Sequence, residues 1–165
     1  MVVVAIIGLL AAIAIPAYSR FIRRSKTSEA LINVRRIYDG AVTSYQGDGV
    51  LRDGEGSLPI FPESVGPTPG LDSCCLANSQ GRCPGSSDSF TDRSWHKLNF
   101  SLSDPHYYWY TFESAGNGFS AQFTARASGN LDCDEDHSTF ERVGYVDLGG
   151  GVSGGPGVFS RLPNE

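Results

Sequence analysis

Four cysteines and one acidic turn are the residues of this chain whose types and spacing could do chemistry. Cys74 and Cys75 are adjacent, Cys83 comes shortly after, and Cys133 stands far downstream. No C-x-x-C pair occurs, so the spacing does not build a zinc site. Bonding Cys74 to Cys75 would close a strained eight-membered ring. The expectation is that one of them closes a short loop to Cys83 and the other reaches Cys133, with the choice between them open. Two such disulfides imply an oxidising compartment, the periplasm or the cell exterior.

The acidic turn runs from Asn130 to Glu141 (NLDCDEDHSTFE) and can be laid on a D-x-[DN]-x-[DN]-G-x5-E calcium loop. Asn130, Asp132 and Asp134 then fall at its first, third and fifth positions. Asp136 takes the seventh, where a backbone carbonyl serves, and Ser138 the ninth. Glu141 takes the twelfth, where a bidentate carboxylate is wanted. Hard oxygen donors suit calcium, the one cofactor the sequence suggests. Two departures count against it: Asn130 replaces the usual first aspartate, and Glu135 stands where glycine makes the bend. The competing reading is an acidic surface turn whose charges face water.

Catalytic patterns are poor. His96, His106 and His137 are scattered, without H-x-x-x-H or H-E-x-x-H spacing, and no G-x-S-x-G elbow occurs. Gly149-Gly150-Gly151 lacks the lysine of a phosphate loop. Tyr107, Tyr108, Trp109, Tyr110 and Phe112, with Tyr38 and Tyr45, could be cast as an electron path, but strand packing explains them with fewer assumptions. The reading is a non-enzyme.

The elements that carry these residues divide the chain by charge. The 165 residues have a formal charge of −5, which excludes a broadly basic nucleic-acid binder. Residues 1–38 hold six Lys or Arg and one acid, a net of +5, whereas 39–165 hold seven and seventeen, a net of −10. Met1 to Ile15 contains no polar side chain. As a helix it spans about 22 Å, short of the ~30 Å hydrocarbon core. A buried core helix, a cleaved signal peptide ending near Ala12-Ile13-Ala14, and a retained membrane segment compete.

The residues beyond the apolar run favour retention. After Pro16, Tyr18, Phe21 and Ile22 resume helical spacing. Leu31, Val34, Tyr38, Ala41 and Tyr45 continue it in steps of three and four, widened by Ala30, Ile37 and Val42. Gly47 and Gly49 supply a stop. The expectation is one helix of roughly 46 residues, about 70 Å long: apolar over 1–22, amphipathic over 23–49. Arg20, Arg23, Arg24 and Lys26 form a basic collar between the halves, either near lipid headgroups or against another subunit. The positive-inside rule alone would place that collar in the cytoplasm, against the cysteines; a basic segment upstream would resolve the conflict.

Residues 50–165 read as a globular head. Residues 50–73 form a breaker-rich linker with Pro59, Pro62, Pro67 and Pro69. Residues 74–165 form a stapled loop and sheet. Leu98, Phe100 and Leu102 alternate as a half-buried strand. His106–Ser114 and Gly118–Ala127 flank a turn and read as an antiparallel hairpin, with Phe119, Ala121, Phe123 and Ala125 on one face. Tyr108, Tyr110 and Phe112 share a face in the first arm. A third strand covers Phe140–Leu148, then a glycine-rich loop over 149–157, then a short edge strand at Val158-Phe159. The fold class is α+β: a long N-terminal helix packed on a small antiparallel sheet.

The tract MVVVAIIGLLAAIAIPAYSRF resembles the N-terminal helix of type IV pilins and their pseudopilin relatives, with Gly8 and Pro16 in the family's order. The stretch from Trp95 to Phe140 looks, more loosely, like pilins of deltaproteobacteria. Family members start with Phe-Thr-Leu-x-Glu after leader removal, and this chain lacks that start, so the family's glutamate that pairs with a neighbouring subunit has no position here: either residues upstream of Met1 carry it, which is the favoured expectation, or the subunit assembles without that contact. It implies a homo-oligomeric helical filament whose core includes Val4, Ile7, Gly8, Leu10, Ala11, Ile15, Pro16, Tyr18 and Phe21. It further implies local unwinding between Gly8 and Pro16 once copies pack, residence in the inner membrane before assembly, handling by the pilus assembly machinery, and a final place on the cell surface in adhesion or motility. The alternatives are a pseudopilin of type II secretion, a membrane-tethered extracytoplasmic binding module, and a cleaved, secreted soluble protein.

Overall fold

The computed structural model describes residues 2–48, 59–71, 73–76 and 81–163. Helix α1 runs unbroken over Val2–Asp48. The stop residue Gly49 and the first part of the linker, residues 50–58, lie outside the described residues. The six strands are β1 (Val65–Thr68), β2 (Tyr108–Ala115), β3 (Gln122–Gly129), β4 (Ser138–Val146), β5 (Val152–Gly154) and β6 (Phe159–Arg161). All pair antiparallel in the order β1-β2-β3-β4-β5, with β6 on the same edge of β4 as β5 but at its other end. The architecture is the α+β arrangement of one long helix on an antiparallel sheet.

The C-terminal half of α1 forms its face by helical spacing. Ala30, Val34, Ile37, Tyr38, Ala41 and Tyr45 are buried against the sheet. Leu31 does not join them: it is 40% exposed, because its position falls at the outer edge of the packed stripe, just beyond Tyr38. From the sheet, alternation sends Tyr108, Tyr110 and Phe112 of β2, Phe123, Ala125 and Ala127 of β3, and Phe140 of β4 into the same core. Phe123 is its centre. Its ring lies 5.2 Å from Tyr38, 4.6 Å from Phe61 and 5.4 Å from Phe112, at separations favourable to aromatic pairs.

Four expectations about the head need correction. Leu98, Phe100 and Leu102 are not a strand. Asp92 caps a short helix α2 (Arg93–Lys97) by accepting from the Ser94 amide at 2.8 Å, and Leu98 is its C-cap. Asn99 then turns at φ 48°, and Phe100 N–H bonds back to the Trp95 carbonyl at 3.0 Å. Leu98 and Phe100 are both buried without being strand neighbours. Phe119 leaves the hairpin face because Gly118–Ser120 winds as a short 3-10 turn, and its ring is 68% exposed. The linker contributes β1, which extends the sheet beside β2. The glycine-rich loop contains β5, since Val152–Gly154 pairs with Gly144–Val146.

Gly40 sets how closely helix and head approach. A methyl group added there would overlap the Leu98 carbonyl oxygen, so only glycine fits. The helix is thereby seated against both the sheet and the end of α2.

Candidate functional site

The functional feature that composition marks is the N-terminal half of α1. Along it Val4 is 74% exposed, Leu10 62% and Phe21 68%, while Ile7, Ile15 and Tyr18 are equally bare. Gly8 and Pro16 lie on the same stretch, and Ala11 is half-buried. Contact with the head begins at Arg23, through its pair with Asp132, and the buried stripe begins at Thr27 and Ala30, so residues 2–22 project beyond the head. At standard rise that projection is about 30 Å, the thickness of a hydrocarbon core. Among the described residues, α1 is the one helix long and apolar enough to cross a membrane. Pro16 has no N–H to give the Ala12 carbonyl, yet the helix passes through it without a break. Ser19 Oγ reinforces the next turn by donating to the Ile15 carbonyl at 3.1 Å.

Where the projecting half meets the head, polar groups fasten the two. Arg23 pairs with Asp132 of the acidic turn at 2.9 Å. The single Thr27 hydroxyl proton is shared between the Arg23 carbonyl at 2.9 Å and the Pro163 carbonyl at 3.1 Å, tying the C-terminal segment to the helix. Lys26 sits over one side of the Tyr107 ring at 4.5 Å, and Arg82 lies 5.1 Å from the same ring. Partial burial, then the nearby Arg82 and Arg23, holds the Lys26 ammonium below the ordinary lysine range.

Glu29 lies between the helix and the sheet. Its carboxylate accepts from the Tyr107 amide at 3.0 Å and from the Tyr110 hydroxyl at 3.3 Å. Asn33, one turn on, donates its amide to the same hydroxyl at 2.8 Å. Burial raises the Glu29 pKa above the usual carboxylate value, with the Tyr107 bond and the neighbouring His106 opposing. Burial, and then the Glu29 charge, pushes the Tyr110 phenol well up, so it stays protonated and donating. Glu29, Asn33 and the Arg23–Asp132 pair escaped the reading of sequence alone. The available signal was that Glu29 is the single acid in the first 38 residues.

The cysteines pair Cys74 with Cys83 and Cys75 with Cys133. The first bond packs beside Trp109, and Cys83 is paired through its backbone with His106. The second ties the loop to the acidic turn.

The side chains of that turn bond to partners within the protein. Asn130 spends both ends of its side-chain amide on the Asp134 backbone, accepting from N–H at 3.2 Å and donating to the carbonyl at 2.6 Å. Asp134 Oδ1 accepts from the Asp136 amide at 2.7 Å, and Asp132 holds Arg23. Glu141 lies up strand β4 bonded to Arg126. The five residues are therefore not gathered on one point. Among the described residues no group of three or more His, Cys, Asp or Glu side chains is placed to hold a metal. The histidines are equally dispersed: His106 is buried with Nδ1 on the Asp104 carbonyl, and His137 meets the Trp109 ring edge-on.

Fold and site thus define a class, an α+β head carried on a helix whose far half is bare and apolar. The chain is 52% identical over 48 residues to fimbrial protein EcpC of Eikenella corrodens, covering 29% of this chain and 31% of that protein. It is 41% identical over 63 residues to the type IV major pilin protein PilA of Myxococcus xanthus, covering 38% of this chain and 29% of that protein. No family model and no solved structure matches. The similarities support the type IV pilin family, and the matched stretches span less than a third of each curated relative's length.

Proposed function

We propose that this chain is a structural, non-catalytic subunit of a type IV pilus, polymerising through residues 2–22 into a surface fibre that serves adhesion or motility. One observation carries the reading. An unbroken apolar half-helix stands clear of a head that is already complete without it. Such a surface is tolerated only in lipid or against like surfaces. Lipid accounts for residence in the inner membrane before assembly. Helix-on-helix packing accounts for the polymer, with small residues such as Gly8, Ala11 and Ala12 permitting close approach. The two disulfides suit a head outside the cytoplasm. Both curated relatives carry pilus names, which supports the same reading.

The experiment is native purification of the full chain in detergent, then detergent removal without lipid, sedimentation and electron microscopy. The expected result is a uniform filament that pellets and whose interior is protected at residues 2–22. Soluble monomers, or monomers that leave solution only when membranes are supplied, would overturn the reading in favour of a tethered module.

A further inference from the structure

We infer that the acidic turn of one copy docks into a basic-rimmed groove of a second copy, giving the filament a lateral contact beside its helical core. The inference deepens the filament reading and rests on it. The groove, about 660 Å3, opens between α1 and the C-terminal segment, lined by Leu31, Phe140, Val158 and Pro163, with Arg24 at its rim. Arg20 is one helical turn before Arg24 on the same flank, and both are exposed. The turn offers Asp134, Glu135 and Asp136, all exposed.

Three relationships select a second copy as the occupant. First, the charges are complementary: two cations face one flank, and three acids stand at the tip of the turn. Second, both sets lie at one height on the helix, because the Arg23–Asp132 bridge at 2.9 Å fixes the turn level with the collar. Third, they open on different flanks. The Cys75–Cys133 bond draws the turn toward the loop that carries Cys83 and Arg82, whereas the groove opens at the β6 edge. The groove is therefore open to the turn of a second copy. Two different patches that complement each other make a heterologous contact, which propagates as an open helix when its rotation does not close a ring. Burial of these charges is partial, so the contact adds register and salt sensitivity more than bulk affinity.

The test uses full-length chain assembled by detergent removal at low salt. Arg20→Glu/Arg24→Glu makes groove and turn both acidic; Glu135→Lys/Asp136→Lys makes both basic. The second pair leaves the Asp134 side chain, which braces the turn, untouched. Each variant alone is expected to shift the concentration needed for polymer upward by about tenfold. An equal mixture is expected to recover wild-type assembly, since every contact in an alternating polymer is then complementary. Intact disulfides and unchanged circular dichroism verify that the heads are folded. If one fails that check, the milder Arg24→Gln or Glu135→Gln replaces it, with a shift of a few-fold expected. Wild-type assembly by either variant alone, or a mixture no better than its components, overturns the docking while the filament reading stands. Failure of the wild type itself to polymerise overturns both. Variants that assemble normally but lose affinity for vesicles of anionic phospholipid would assign the collar to lipid and overturn the docking.

Discussion

The carboxylate of Glu29 and the hydroxyl of Tyr110 meet at 3.3 Å across the helix–sheet boundary, 81 residues apart in sequence. Burial raises the Glu29 pKa, so the folded chain holds this proton more tightly than the unfolded chain does. The sign comes from linkage. The contribution of Glu29 to stability is complete below the unfolded carboxylate value and declines as pH rises through the folded one. Midpoints of thermal unfolding of wild type and Glu29→Gln, taken from pH 4 to pH 8 in steps, check this. The wild type is expected to lose stability relative to the variant as pH rises through that interval. Parallel curves would show that the carboxylate is not desolvated.

Two glycines of one helix should respond oppositely to the same change. Gly40→Ala forces a methyl group onto the Leu98 carbonyl and is expected to cost about 2 kcal/mol or more. Gly47→Ala meets no atom within 4 Å and is expected to stabilise by roughly 0.5 kcal/mol through helix propensity. Denaturant titration of the two variants decides it. Equal effects would mean that the helix is not seated on α2.

The difference between what the sequence discloses and what it withholds tracks range. The helix, its buried stripe and the β2–β3 hairpin are local patterns, legible because period and turn residues lie close together. Leu31 matched the stripe by spacing alone, but the packed face is narrower than the apolar one. Leu98 and Phe100 mimic strand alternation while a capped helix and a left-handed Asn99 deliver them to the core. Strands β1 and β5 have only four and three residues and exist because a neighbour offers an edge. At the site, the bare apolar half was visible in composition. The Glu29 latch was not, because its partners Tyr107 and Tyr110 come from a strand region that only the fold brings near.

The two disulfides should contribute unequally. Cys75–Cys133 closes 58 residues and Cys74–Cys83 closes nine. The chain-entropy relation gives about 4 kcal/mol for the first and ~2.5 kcal/mol for the second. Paired serine substitutions, compared by chemical denaturation, check the order, and non-reducing peptide mapping checks the connectivity. A peptide joining Cys74 to Cys133 would reverse the assignment.

Calcium is expected to leave the head unchanged. Asp132 is held by Arg23 and Glu141 by Arg126, so a cation would have to break both pairs to gather its ligands. Calorimetry with calcium and melting with and without chelator are the measurements. A saturable heat, accompanied by a raised midpoint that Asp134→Ala abolishes, would establish cation binding at the turn.

The solvent face of the sheet carries a cross-strand charge ladder whose worth can be measured. Arg126 on β3 stands opposite Glu141 of β4 and bonds it through Nε. Its two terminal nitrogens reach the two oxygens of Glu113 on β2 at 3.2 and 3.4 Å, a bidentate geometry. All three side chains are partly exposed, so water screens each pair and either one alone should be worth about 0.2–1 kcal/mol. The ladder differs from two isolated pairs because one arginine, once ordered, serves both acids, and its lost side-chain freedom is counted once. Glu113→Gln and Glu141→Gln are each expected to destabilise by less than ~1 kcal/mol. In a cycle of the two single variants and the double, the acids should prove coupled through Arg126, with the coupling lost in an Arg126→Gln background and weakened in concentrated salt. Strict additivity with Arg126 present would reduce the ladder to independent surface pairs. The sheet would then owe its register on this face to the backbone and the aromatic core beneath.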